Sequence, residues 1–257
     1  MTVVHKAAQV GFSTQAGAYA QGRPDYPAAL NTWLEHTLGI NAQSSVVDLG
    51  AGTGKFTRLL SPLTGHLTAV EPVAEMRQQF SNGLPGIPIF HGTAESLPLA
   101  DATADAVVCA QAFHWFAHKA ALAEIHRVLK PGGRLGLIWN VRDESVDWVA
   151  EITRIITPYE GDTPRFHTGQ WREPFVDGDY FAQPELTCFN YSHAGNAETV
   201  IMNRFLSVSF IAALPPADKT LVTDRLRELI HTHPALRGRE VIEFPYQTQA
   251  YLCHRLG

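Results

Sequence analysis

Cysteine is scarce: three residues in 257, at Cys109, Cys188 and Cys253, none near another in sequence. An odd, scattered set excludes a disulfide framework and a cysteine-built zinc cluster, and it suits a reducing compartment. Long apolar runs are missing as well. No stretch approaches the ~18 residues of a membrane span, and the opening Met1-Thr2-Val3-Val4-His5-Lys6 lacks the apolar segment of an export signal. The expectation is a soluble, unexported, cytoplasmic protein without a membrane partner. Nor is there an excess of positive charge: 20 basic against 25 acidic residues leave a formal net charge of −5, with no long run of one sign. That removes the electrostatic footprint of a phosphate backbone, so nucleic acid is not the expected partner. His231 and His233, two apart on an expected helix, point to different sides and form no metal clamp, and no metal is expected.

What is present is alternation. From 44 to 140, short β-branched runs alternate with amphipathic stretches, the pattern of βαβ units and a parallel sheet. Strands are expected at 45–49, 67–71, 87–91, 105–110 and 134–139, with helices running to about 60, over 73–81 and over 119–129. Lys130-Pro131-Gly132-Gly133 reads as a type II turn into the fifth strand. The length suits one domain, 1–257, in three parts: an N-terminal helical lid (1–43), a core (44–140) and a C-terminal, substrate-side region (141–257). The last part holds a Pro-, Gly- and aromatic-rich stretch over 158–184, a strand at 186–192, helices at 197–214 and 217–231, and a final strand pair or single long strand from 241 to 256.

Gly50-Ala51-Gly52-Thr53-Gly54 sits where the first strand turns into a helix. Its glycines serve tight turning, close approach by a ligand, and packing of helix on strand. The spacing is G-x-G-x-G, not the G-x-G-x-x-G of dinucleotide sites, and Phe56 after Lys55 rules out a Walker phosphate loop. The helix N-terminus behind the loop receives a carboxylate as readily as a phosphate. Glu71 ends the second strand about 20 residues past the first glycine, where an acid reaches both hydroxyls of a ribose and repels a 2′-phosphate.

With the loop and the acid together, the segment from Val46 to Asn140 resembles a class I S-adenosylmethionine-dependent methyltransferase of the small-molecule type. The resemblance rests on Val47-Asp48-Leu49-Gly50-Ala51-Gly52-Thr53-Gly54, Val70-Glu71-Pro72, Gly92-Thr93-Ala94-Glu95-Ser96-Leu97-Pro98 and Glu124-Ile125-His126-Arg127-Val128-Leu129-Lys130-Pro131-Gly132-Gly133. The stretch from Tyr19 to Pro27 and the helical C-terminal third are similar, more weakly, to the trans-aconitate methyltransferase-like branch. The resemblance implies a Rossmann-like, doubly wound α/β fold with a mostly parallel seven-stranded sheet whose last strand, over 243–255, is antiparallel. It implies S-adenosylmethionine as cofactor, with Asp48 and the glycine loop facing the methionine moiety and Glu71 the ribose. Pro72 and Met76 then lie beside the adenine, Thr93, Ala94 and Glu95 at its edge, and Gln111 and Ala112 near the sulfonium. Met76 is equally a core filler, and Glu95 equally a cap for a short turn. Tyr19 and Arg23 are assigned, by position alone, to close over the methionine carboxylate.

Methyl transfer needs alignment of the acceptor more than it needs a base. His114 is the one base candidate, against the alternative of a polar residue bonded to backbone. Phe113, Trp115, Trp139 and Trp171 are candidates to line an acceptor pocket, against the alternative that such aromatics fill core. The absence of an Asn/Asp-Pro-Pro-aromatic turn at 111–114 disfavours adenine or glutamine methylation. The acceptor expected is a small carboxylate or partly apolar molecule, handled by a monomer or homodimer. Two rivals use the same fold: an NAD-dependent oxidoreductase, and a non-catalytic cofactor-binding or interaction protein.

Overall fold

A parallel ladder needs strands that are apolar on both sides, because helices cover both faces. β1 (Ser45–Leu49), β2 (His66–Val70) and β4 (Ala104–Ala110) are of that kind. In the computed structural model, which describes residues 23–257, they lie side by side and parallel. The short β3 (Ile89–Phe90) joins β2, and β5 (Leu129–Arg142) joins β4, also parallel. β7 (Ile242–His254) runs antiparallel beside β5, and β6 (Glu185–Gly195) antiparallel beside β7. The order β3-β2-β1-β4-β5-β7-β6 is the seven-stranded sheet with a reversed last strand that the sequence implied. The chain leaves β1 toward β2 on one side and returns through β4 on the other. That reversal opens a crevice beyond the C-terminal ends of β1 and β4.

Side chains alternate across the sheet. Val47, Leu49, Val107, Cys109, Leu135 and Leu137 enter one core, closed by Ala121, Leu122, Ile125 and Val128 of α4 (Lys119–Val128). Val46, Ala106, Val108 and Ile138 enter the opposite core with Leu30, Trp33, Leu34 and Leu38. These come from α1 (Ala29–Thr32), its wider continuation Trp33–Thr37, and the residue after it. The helical part at 29–37 is thus a wall of the sheet, and among the described residues the segment just before it faces the crevice; residues 1–22 of the expected lid lie outside the described residues. α2 (Thr57–Leu60) and α3 (Ala74–Gly83) follow the first two strands.

A third core lies beyond the parallel strands. It joins α5 (Asp147–Ile156), α6 (Arg204–Leu206), α7 (Ser209–Ala212) and α8 (Pro216–Thr232) to the entry of β7 through Ile242, Phe244 and Tyr246. Because Arg142 pairs with Tyr246, this entry lies at the C-terminal end of β5, on the crevice side. The cluster is therefore a cap.

Three elements differ from expectation. β3 shrinks to two residues, since Pro88 has no N–H and only its carbonyl serves the ladder, accepting from Ala69 at 2.9 Å. The helix expected over 197–214 begins as a wide turn, Glu198–Asn203, and breaks before α7. Ser207 turns its hydroxyl back to the Arg204 carbonyl at 3.0 Å, and Val208 is extended. β5 absorbs the Lys130–Gly133 turn, and Gly132 adopts the expected left-handed φ of +79°.

Phe244 is fully buried and packs on Trp148 (5.0 Å between ring centroids), Phe205 (5.6 Å) and Tyr246 (4.8 Å). Phe244→Ala is expected to cost about 3–5 kcal/mol of stability. Equilibrium urea unfolding measures it, and a loss below about 1 kcal/mol would mean that the cap does not pack as described.

Candidate functional site

The crevice is built on the loop after β1. The N–H groups of Gly50 and Ala51 donate to the Val70 carbonyl at 2.8 and 3.2 Å, which ties the loop to the end of β2. Glu71, the next residue, then clamps it. One carboxylate oxygen accepts from the Gly52 N–H and the other from the Val73 N–H, both at 2.9 Å. Burial raises the pKa of Glu71, and these two amide donors oppose the rise. A carboxylate accepts about four hydrogen bonds, so Glu71 keeps capacity for a ligand.

The loop glycines divide their tasks. A Cβ on Gly52, at φ +58°, would meet nothing within 4 Å, because this face of the loop is open. A Cβ on Gly54, at φ +83°, would stand 2.6 Å from Leu84 and 2.8 Å from Phe80 of the α3 segment. Gly54 therefore serves packing and does not border the crevice. Asp48 lies beneath the loop, 1% exposed, with one oxygen accepting from the Thr57 hydroxyl at 2.6 Å. Its other oxygen has no hydrogen-bond partner among the described residues. Burial pushes its carboxyl up to about 7, the Thr57 bond opposes, and the negative charge of Glu71 adds to the rise.

The enclosed volume is about 340 Å³. Its walls include Arg23, Asp48, Gly50, Ala51, Gly52, Thr53, Glu71, Pro72, Met76, Thr93, Ala94, Glu95, Gln111, Ala112 and Trp115, so most of the expected cofactor contacts converge. Tyr19 lies outside the described residues. Gln111 adopts a left-handed φ of +58°, pinned by its N–H to the Ile138 carbonyl at 2.8 Å. Such a conformation costs about 1–3 kcal/mol and concentrates at functional sites.

The aromatic candidates need correction. Phe113, Trp139 and Trp171 are at most 1% exposed and stand outside the cavity wall. They form a packed aromatic layer, with Trp139 and Trp171 4.8 Å apart and Phe113 5.7 Å from Phe175. The 158–184 stretch supplies core here, not pocket lining. His114 is also corrected. Its Nδ1 accepts from the Trp139 indole N–H at 3.1 Å, and the ring proton is thereby on Nε2. Burial, then the charges of Arg165 and Arg23, hold its pKa at about 3, so it stays neutral and is a poor proton acceptor.

Several wall residues escaped the sequence reading: Tyr26, Lys55, Phe56, His118, Asn140 and Arg204. Lys55 was considered only as a phosphate ligand. It donates to the Arg23 carbonyl and pairs with Asp25 at 3.0 Å, while Asn140 donates to the Asp25 carbonyl at 2.9 Å. Tyr26 meets Phe56 edge-on at 4.9 Å. These contacts staple residues 23–26 across the cavity. His118, which caps α4 by accepting from Ala121, holds Glu95 at 2.7 Å. Glu95 is thus fixed at the wall by a partner in the next element. Lys55 beside the loop and Asn140 at the end of a strand were findable signals; Arg204, far along the chain, carried none.

Comparison with known proteins gives a family. A family described as "Methyltransferase domain" matches residues 47–137. An uncharacterised methyltransferase-like protein of Schizosaccharomyces pombe is 37% identical over 243 residues, covering 93% of each chain. An uncharacterised methyltransferase of Mycobacterium tuberculosis is 38% identical over 248 residues, covering 96% of this chain and 97% of its own. Among solved structures, geranyl diphosphate C-methyltransferase from Streptomyces coelicolor, in complex with Mg2+, geranyl diphosphate and S-adenosyl-L-homocysteine, shares the fold. It matches at a TM-score of 0.52 with 12% identity over 99% of both chains.

The second and third loop glycines make a paired prediction. Gly54→Ala combines backbone strain with a clash and is expected to cost about 2–4 kcal/mol. Gly52→Ala carries the strain alone, about 1 kcal/mol. Thermal denaturation of both variants decides it, and equal losses would contradict the packing role of Gly54.

Proposed function

The chain belongs to the methyltransferase family, and from that premise we propose that it transfers a methyl group from S-adenosylmethionine to a small-molecule acceptor by in-line displacement. The observation that carries the reading is the pair of acids under the loop: Glu71 with lone pairs to spare, and Asp48 with a buried oxygen that lacks a partner. A ribose offers two hydroxyl donors and an amino acid offers an ammonium. These suit two such carboxylates, whereas a dinucleotide pyrophosphate would bring negative charge against Asp48. The open face of Gly52 leaves room for a ligand at backbone distance.

When bound, S-adenosylmethionine supplies a methyl group on a sulfonium, already activated for displacement. The chain supplies the rest. Glu71 would hold the ribose hydroxyls, and Asp48 the ammonium. Met76, Ala94 and Pro72 would offer an apolar slot to the adenine, with Thr93 and Glu95 at its edge. Arg23, Pro24 and Tyr26, stapled by Lys55 and Asn140, would keep water from the reacting atoms. No base is assigned, because His114 is held neutral and already bonded through Nδ1. An acceptor that arrives ionised needs none.

Isothermal titration tests the reading directly. S-adenosylhomocysteine is expected to bind and NAD to bind far more weakly; the reverse order would hand the site to an oxidoreductase. Glu71→Ala is expected to lose about 1–3 kcal/mol of S-adenosylhomocysteine affinity, and an unchanged affinity would remove the ribose role.

Asp48 sets the pH dependence. Its raised pKa favours the protonated carboxyl in the free protein. The associated folding stability is present at low pH and is lost as pH rises through about 7. A bound ammonium favours the ionised form, so binding below pH 7 releases a proton. Affinity should rise by up to about tenfold per pH unit from about pH 5.5 and level off above about 7.5. Asp48→Asn should flatten that profile. A wild-type profile that is already flat would separate Asp48 from the ammonium.

A further inference from the structure

The cap brings three guanidinium groups together with acids beside only two of them among the described residues. Arg142 ends β5, Arg165 precedes the turn Phe166–Thr168, and Arg204 opens α6 and reaches the cavity wall. They are close enough to oppose one another. Burial first, then the charges of Arg204 and Arg165, lower Arg142 to about 10. Burial likewise lowers Arg165, with Glu160 opposing and Arg204 adding to the shift. Arg165 pairs with Glu160 at 2.8 Å, and Arg142 stands 3.8 Å from Glu144.

Arg204 has no acid at ion-pair distance among the described residues, and its Nε and Nη1 are buried without a hydrogen-bond partner among them. The Tyr246 hydroxyl, on a side chain 3% exposed, is in the same condition, and Tyr246 is the ladder partner of Arg142. Buried donors left unmatched are uncommon and costly, and Arg204 brings two of them to the cavity wall, with Arg142, Arg165 and Tyr246 behind it, which points to a missing acceptor. The guanidinium groups are also held in place. Arg142 and Arg204 both stack on Phe205, at 5.6 and 5.5 Å, and Arg165 on Phe210 at 5.1 Å. A cap that needed only packing could fill these positions with apolar side chains at no such cost.

We propose that Arg142, Arg165, Arg204 and the Tyr246 hydroxyl form an anion subsite that recognises a carboxylate or phosphate group of the methyl acceptor. The inference rests on the methyltransferase reading and names the acceptor class. His114 fits it: with Nδ1 occupied, its remaining ring function is a donor, and the charges of Arg165 and Arg23 reach it. The captured anion is the handle. A second group on the same molecule, arriving ionised because no base is assigned, would meet the methyl; its lone pair would form the new bond as the methyl–sulfur pair returned to sulfur. Electrostatic contacts of this kind set both orientation and selectivity.

Calorimetry on the full chain saturated with S-adenosylhomocysteine tests the subsite, with citrate, inorganic phosphate and uncharged glycerol as probes. Citrate or phosphate should bind and glycerol should not. Binding of citrate alone identifies a carboxylate handle, and of phosphate alone a phosphate handle. Arg204→Met and Arg142→Met should weaken the anion by about tenfold or more, while Arg204→Lys, which keeps the charge and the fold, should retain part of the affinity. Affinity for S-adenosylhomocysteine should not change in Arg204→Met. If that affinity falls in step with the anion's, the guanidinium groups serve the cofactor's own carboxylate and the inference is wrong. If the loaded wild type binds neither anion, it is also wrong. Failure of S-adenosylhomocysteine to bind at all would instead overturn the proposed function.

Discussion

One carboxylate holds the working end of this molecule together. Glu71 bonds the Gly52 N–H with one oxygen and the Val73 N–H with the other, and so joins the turn after β1 to the start of the segment after β2. The loop would otherwise depend on two bonds to the Val70 carbonyl. With the clamp in place, the open face of Gly52 is fixed beside the buried oxygen of Asp48. A side chain that accepts from backbone on both oxygens and still faces a cavity is short of solvent, and the two amide donors favour its ionised form against the cost of burial. That is the environment in which its remaining lone pairs discriminate between ligands.

The clamp also explains the division between loop and foundation. Gly54 lets α3 close against the loop, while the aromatic layer of Phe113, Trp139 and Trp171 lies under the far side of the crevice. These rings do not touch the cavity, yet the Trp139 indole fixes the tautomer of His114, and Gln111 in its strained backbone rests on the Ile138 carbonyl. Rigidity at the wall is thus provided by residues one layer behind it, which is how a site keeps its geometry without being part of the contact surface.

The sheet was legible because its signal is local. Buried β-branched runs, glycine punctuation and the position of Glu71 each act within a few residues, and β1 falls on Ser45–Leu49 as expected. The cap was less legible. The break at Ser207 depends on one hydroxyl bonding back to Arg204, and the wide turn at Glu198–Asn203 has no compositional mark. The aromatic stretch over 158–184 was ambiguous in principle, since large rings suit a pocket and a core equally well. Only tertiary packing separates Trp115, at the wall, from Trp171, under it. Lys55 shows a related limit: its role is to hold a backbone carbonyl 32 residues earlier in the chain, a contact that no motif encodes.

The distribution of charge within the cavity follows from this architecture. Acids come from the sheet side, where the ends of β1 and β2 place Asp48 and Glu71. Bases come from elements added around it: Arg23 on the stapled segment and Arg204 on the cap, with the charge of Arg165 behind the wall. On the proposed reading, a ligand with amino and hydroxyl groups would be drawn to the first side and an anion to the second, each side repelling the other's ligand. The arrangement orders two partners in one space by sign before any shape is matched. Because the clamp lies on the sheet and Arg204 on the cap, selectivity for a second partner is free to change through the cap alone, without disturbing the clamp on which the first depends.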